Sequence, residues 1–76
     1  MSPQHYPVMS GAQMMGALQR GGFVQVSQKG SHVKMRNASG RPVVVPNHKE
    51  LAQGTIRSIL RQAGLSDEEF RKLIDQ

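Results

Sequence analysis

The sequence contains no cysteine, no tryptophan and little other aromatic content, with one tyrosine and two phenylalanines. Without cysteine neither a disulfide nor a zinc–thiolate site can form, so a small core must be stabilised by packing or by a partner. No apolar run approaches the roughly 20 residues of a membrane-spanning helix, and residues 1–9 lack the basic start and apolar stretch of a signal peptide. We therefore expect a cytoplasmic protein without a membrane segment.

Acidic residues are also scarce, since five Asp and Glu accompany ten Lys and Arg and the net charge is +5. Most of the cations lie between Lys29 and Arg61, whereas four of the five acids follow Ser66. A positive surface favours polyanions such as nucleic acid. An ordinary solvated basic surface is the alternative, and charge alone does not separate the two.

The 76-residue length limits the chain to one small domain. Domains near this size bury only about 60% of the surface that their unfolded chains expose, so a deep enclosed substrate pocket is not expected. Residues 1–9, with two prolines, are expected to form an N-terminal tail, although Tyr6 or Val8 could dock on the core. Residues 10–76 are expected to form a single domain.

Three segments have the features of helices. The pairs Ser10/Gln13 and Ser66/Glu69 have the spacing of capping boxes, which begin helices. Apolar residues recur at i, i+3, i+4 and i+7 from Ile56, as on one face of an amphipathic helix. The expected helices are residues 11–20, 55–63 and 67–74.

The middle of the chain has the pattern of β-strands. Residues 23–37 are alternating and β-branched with a break at Lys29-Gly30, which predicts two strands joined by a tight turn. A third strand is expected over residues 41–45, at a sheet edge because Pro42 and Pro46 cannot donate to an interior ladder. The predicted fold class is α+β, in the order α-β-β-β-α, with a three-stranded antiparallel sheet packed on helices and a short C-terminal helix.

The second strand carries the most informative side chains. Alternation places His32, Lys34 and Arg36 on one face and the apolar Val33 and Met35 on the other. If the apolar pair packs under the helices, the opposite face presents an imidazole in line with two cations, which suits a phosphodiester backbone. A solvated strand face with an incidental histidine is the alternative.

Several ordered segments resemble the HicA family of bacterial toxins. They are Gly22-Phe23, Gln28-Lys29-Gly30-Ser31-His32, Val45-Pro46-Asn47-His48 and residues 54–65. The similarity covers about residues 10–70. It implies a fold like the double-stranded-RNA-binding domain, an endoribonuclease that acts on messenger RNA, a catalytic histidine at His32 and a HicB-type antitoxin as partner.

The chemistry of histidine agrees with this implication. Imidazole titrates near pH 6.5, so His32 can exchange a proton at cellular pH while Lys34 and Arg36 stabilise charge on a phosphate. RNA supplies its own nucleophile in the 2′-hydroxyl. A two-metal nuclease needs converging carboxylates, and only Glu50 lies outside the C-terminal acidic cluster. We therefore expect neither a metal nor another cofactor, and activity in the presence of a chelator.

Other residues are candidates for contact with RNA. The turn before His32 is expected to present the histidine, with Gly30 supplying a backbone angle that other residues adopt poorly. Arg57 and Arg61 form a basic helix face that suits RNA or an antitoxin, with an ordinary solvated helix face as the alternative. His48 could bind phosphate or transfer a second proton, with a solvated loop histidine as the alternative. The residues expected to bind RNA are Lys29, Gly30, Ser31, Lys34, Arg36, His48, Arg57 and Arg61.

Two other functions fit parts of the sequence. Residues 56–74 could form a DNA-binding helix-turn-helix, but the acids at 67–69 would then meet DNA phosphates of like charge. A non-catalytic RNA-binding module explains the basic surface and leaves His32 without a role. Loss of RNA cleavage on replacement of His32 separates an enzyme from a binding module.

Overall fold

The structure is a computed structural model that describes residues 5–75, so residues 1–4 of the expected tail and residue 76 lie outside the described part. It confirms the α+β class and the order α-β-β-β-α with a short final helix. Within residues 5–75 no helix has the length and apolar character needed to span a bilayer. The elements are α1 (Gly11–Arg20), β1 (Val24–Lys29), β2 (His32–Arg36), β3 (Pro42–Pro46), α2 (Gln53–Ala63) and α3 (Asp67–Ile74).

Both predicted capping boxes are present. The Gln13 amide N–H donates to Ser10 Oγ at 3.0 Å, and the Ser10 N–H donates to the Gln13 side chain at 2.8 Å. Ser66 and Glu69 make the same pair of bonds at the start of α3. The hydrogen bond from the Ser66 backbone lowers the pKa of Glu69, because it stabilises the carboxylate form.

The second helix begins at Gln53, two residues before the predicted start at Thr55. Its N-cap is Ala52, which makes no side-chain capping bond. Because the favoured cap residues are Ser, Thr, Asp and Asn, this helix start has no local mark in the sequence. The end at Ala63 agrees with the prediction, and Gly64 follows in the left-handed conformation with φ of +70°.

The sheet is an antiparallel meander in the order β1-β2-β3, so β3 lies at an edge as predicted. The backbone N–H of Val44 donates to the side-chain oxygen of Gln62 at 3.1 Å, so an α2 side chain occupies part of this edge. On the other edge, every residue of β1 is exposed, and the register with β2 shifts between Gln25 and Ser27. The two edges of the sheet therefore differ in how far the helices cover them.

The core lies between the helices and one face of β2 and β3. The alternation in β2 is as predicted, since Val33 and Met35 are buried while His32 and Arg36 are exposed. Full burial of an aliphatic or aromatic side chain of this kind contributes about 1.5–3 kcal/mol. The largest fully buried side chains are Met14, Leu18, Val33, Met35, Val43, Val45, Ile56, Ile59 and Phe70.

Part of the expected tail belongs to this core. Tyr6 and Met9 are buried, whereas Val8 is exposed. The Tyr6 hydroxyl donates to Asp67 Oδ1 at 2.8 Å, and its ring packs edge-on against Phe70 with centroids 6.2 Å apart. The side-chain amide of Gln53 both accepts from the Tyr6 N–H and donates to the Tyr6 carbonyl. The segment before α1 is thus attached to α2 and α3.

Candidate functional site

The outer face of the sheet carries a line of basic side chains. His32, Lys34 and Arg36 point away from the helices because the residues between them enter the core. Lys29 in β1 is the antiparallel partner of His32, and directly opposite residues of an antiparallel pair share a face. We call the surface formed by Lys29, His32, Lys34 and Arg36 the basic sheet face.

A tight turn holds His32 at the end of this face. Lys29 and His32 pair across the hairpin, with Gly30 and Ser31 between them. Gly30 has a φ of +59°, a conformation that other residues adopt poorly, and a Cβ there would meet no atom within 4 Å. The glycine is therefore required by the backbone conformation of the turn and not by a lack of space, as the sequence predicted.

The chain segment after β3 runs beside this turn. Pro46 is the partner of His32 in the β2–β3 ladder, and the next residue, Asn47, donates its N–H to the Ser31 carbonyl at 2.6 Å. His48 Nε2 then lies 3.4 Å from Ser31 Oγ. The structure therefore brings His48 to the same end of the sheet as His32, on an adjacent chain segment, and both histidines are exposed.

The start of α1 fixes the backbone of this segment. The Gly11 N–H donates to the His48 carbonyl at 2.8 Å. A Cβ on Gly11 would overlap the Pro46 carbonyl oxygen and approach Asn47 Cα to 2.8 Å, so only glycine permits this approach. The sequence alone does not show this role of Gly11, because it depends on a contact between distant parts of the chain.

Gly11→Ala is expected to destabilise the protein. The added methyl group meets backbone atoms, which cannot rotate away, and overpacking of this kind costs about 1–3 kcal/mol. Gly16→Ala is the matched control, since the nearest atom to a Cβ there is an Arg20 side-chain nitrogen at 3.8 Å. Because alanine favours helix by up to about 1 kcal/mol over glycine, the control should be neutral or stabilised. Urea unfolding measures the free energy of unfolding of both variants. Equal values for Gly11→Ala and Gly16→Ala would contradict the close approach of Gly11 to the Pro46–Asn47 backbone.

The two predicted arginines of α2 do not belong to the basic sheet face. Arg57 lies beside the Tyr6 hydroxyl and influences its pKa, so it belongs to the helical layer near the N-terminal segment. Arg61, one turn further along α2, is exposed like Arg57. The residues predicted to bind RNA are therefore divided between the sheet end and a separate helix surface.

The histidines lie on an open surface. A groove of about 390 Å³ lies elsewhere, between the N-terminal segment, α1 and the end of α3, and it includes none of the predicted site residues. Among residues 5–75, no group of three His, Cys, Asp or Glu side chains is placed to hold a metal ion. An open face with aligned cations suits an extended, charged ligand better than a small molecule that needs enclosure.

The family model for the HicA toxin of bacterial toxin–antitoxin systems matches residues 11–65. The chain belongs to the HicA family. A comparison with curated proteins gave no match. The matched region of this HicA toxin runs from the first residue of α1 to just beyond the C-cap of α2, so it contains His32, His48 and Gly11. The protein is thus the toxin of a toxin–antitoxin system, a role that implies an antitoxin partner.

Proposed function

We propose that this HicA toxin is a metal-independent endoribonuclease that cleaves messenger RNA, with His32 as a general acid or base. The observation that carries the proposal is the placement of His32. Its imidazole is exposed at one end of a β-strand, opposite Lys29 and in line with Lys34 and Arg36. Such a site offers a proton-transfer group where a polyanionic backbone is attracted.

The reaction uses a nucleophile that only RNA carries. Removal of the 2′-hydroxyl proton lets the oxygen attack the adjacent phosphorus, and the 5′-oxygen leaves with a proton. Negative charge on the phosphate rises as the new bond forms, and the cations beside His32 stabilise it. The residues that bind RNA at this end are Lys29, Gly30, Ser31, Lys34, Arg36 and His48.

A HicB-type antitoxin is the proposed partner. An acidic protein that covers the basic sheet face would block access of RNA to His32, and its charge would speed association with a toxin of net charge +5. Arg57 and Arg61 form a second positive surface on α2, available to the RNA backbone or to the antitoxin. Messenger RNA as substrate places the reaction in the cytoplasm.

Labelled RNA should be cut by the purified protein in the presence of EDTA, while DNA of the same sequence stays intact. RNA alone has the 2′-hydroxyl, and no step requires a metal. Gel analysis of both substrates, with and without added magnesium, measures this. A strict need for magnesium, or cleavage of the DNA at the RNA rate, would overturn the proposed mechanism.

A further inference from the structure

Three contacts hold the chain segment that carries His48. Its carbonyl accepts the Gly11 N–H, the preceding residue bonds to the Ser31 carbonyl, and its Nε2 lies 3.4 Å from Ser31 Oγ. The first contact requires glycine at position 11, because any Cβ would overlap the Pro46–Asn47 backbone. The backbone of the His48 segment is therefore fixed, and one side-chain contact reaches the ring.

The contacts also relate His48 to His32. Ser31 immediately precedes His32 in the chain, and Pro46, the ladder partner of His32, lies two residues before His48. Ladder partners in an antiparallel pair have Cα atoms about 4.5–5.5 Å apart. His48 therefore follows, by two residues, the position that lies beside His32, and Ser31 contacts the His48 ring while it is joined to His32 in the chain.

Cleavage through the 2′-hydroxyl needs two proton transfers. One group takes the proton of the 2′-hydroxyl while the O2′–P bond forms. A second group gives a proton to O5′ while the P–O5′ bond breaks, which leaves a 2′,3′-cyclic phosphate and a free 5′-hydroxyl. A neutral and a protonated imidazole perform both transfers at pH values near their pKa.

We propose that His48 is the second proton-transfer group of the reaction, acting as the acid–base counterpart of His32, with Ser31 as the residue that positions its ring. This inference rests on the proposed ribonuclease function. It assigns to His48 a chemical role that a residue binding phosphate only through charge does not have. Arginine can replace a histidine that binds phosphate only through its charge. It cannot replace one that transfers a proton, because arginine stays protonated in proteins.

The charged residues around the two histidines are mostly basic. The first turn of α1, which packs against the His48 segment, contains no acidic residue. The charged residues that pair with either histidine in the ladder or lie within two residues of it in the chain are Lys29, Lys34, Lys49 and Glu50.

Single-turnover cleavage of labelled RNA between about pH 5 and 9 tests the proposal across the range in which imidazole titrates. Wild type should give a bell-shaped profile. His48→Gln should lower the rate at the optimum by about 10²-fold and remove one limb of the profile, and His48→Arg should not restore either. Ser31→Ala should lower the rate several-fold and keep both limbs. His5→Gln is the matched control, because His5 is an exposed histidine outside the helices and strands. Its cleavage rate and pH profile should equal those of wild type.

The outcomes separate the two proposals. One outcome is that wild type cuts RNA, that His32→Ala fails to cut it, and that His48→Gln keeps the wild-type rate and both limbs of the profile. In that case the role proposed for His48 is wrong and the proposed function stands. Recovery of cleavage in His48→Arg also overturns proton transfer by His48. A wild-type protein that does not cut RNA overturns both proposals together.

Discussion

Tyr6→Ala is expected to lower the free energy of unfolding by about 3 kcal/mol, the usual cost of truncating a buried aromatic side chain. For a domain of this size that corresponds to a fall in melting temperature of roughly 12–24 °C. The change removes the edge-on contact with Phe70 and the hydroxyl bond to Asp67, which joins residues 61 positions apart. It also leaves the Asp67 carboxylate without its donor.

Val8→Ala is the control for this measurement, since Val8 lies two residues away and is 75% exposed. Thermal unfolding followed by circular dichroism should show a change of at most a few degrees for the control. If Tyr6→Ala melted at the same temperature as Val8→Ala, the segment before α1 would not be part of the core.

The hydroxyl of Tyr6 adds a pH dependence to the same prediction. Burial raises the pKa of Tyr6 above its usual value of 10.0, and the bond to Asp67 adds to the rise, while Arg57 opposes it. The folded state therefore favours the protonated phenol. This contribution to stability is present below pH 10.0 and is lost as the pH rises from there through the raised pKa.

Tyr6→Phe should cost about 1 kcal/mol near neutral pH, from the lost hydrogen bond, and should lose less stability than wild type above pH 10. Tyr6 is the sole tyrosine and the chain has no tryptophan, so ultraviolet absorbance reports the ionisation of this residue alone. A midpoint at or below the usual pKa of tyrosine would contradict the burial of the hydroxyl.

Local features predicted most of the fold. Both capping boxes, the alternation in β2 and the glycine turn at Gly30 depend on residues close together in sequence, and all are present. The start of α2 was misplaced because Ala52 provides no capping side chain. The register shift between Gln25 and Ser27 also had no mark in the alternating pattern.

Long-range contacts could not be predicted in this way. Tyr6 bonds to residues 47 and 61 positions away, and the sequence showed only an aromatic residue in a proline-containing segment. The proximity of His48 to Ser31 depends on the β2–β3 register and on the close approach of α1 at Gly11. Alternation placed His32 on the face with Lys34 and Arg36, but helix spacing alone could not show that Arg57 lies beside Tyr6.

His32→Ala is expected to lower RNA cleavage by about 10²–10⁴-fold, the usual contribution of a general acid or base. Folding should be unaffected, because the side chain is exposed and its strand neighbours keep their places in the core. Expression of the variant should also relieve any growth arrest that the wild-type toxin causes. His5→Ala is the control, since it removes an exposed imidazole outside the basic sheet face.

The retention of RNA binding by His32→Ala distinguishes a chemical role from a binding role. Lys29, Lys34 and Arg36 remain in the variant, so its affinity for RNA should stay within a few-fold of wild type and should fall with added salt. A variant that loses binding and cleavage in parallel would indicate that His32 holds the RNA without transferring a proton.

The most direct measurement is the single-turnover cleavage rate of labelled RNA in EDTA by wild type and by His32→Ala, with equal melting temperatures established first. An exposed imidazole that transfers a proton predicts a rate at least about 10²-fold lower in the variant. A folded His32→Ala protein that cuts RNA at the wild-type rate would contradict the account.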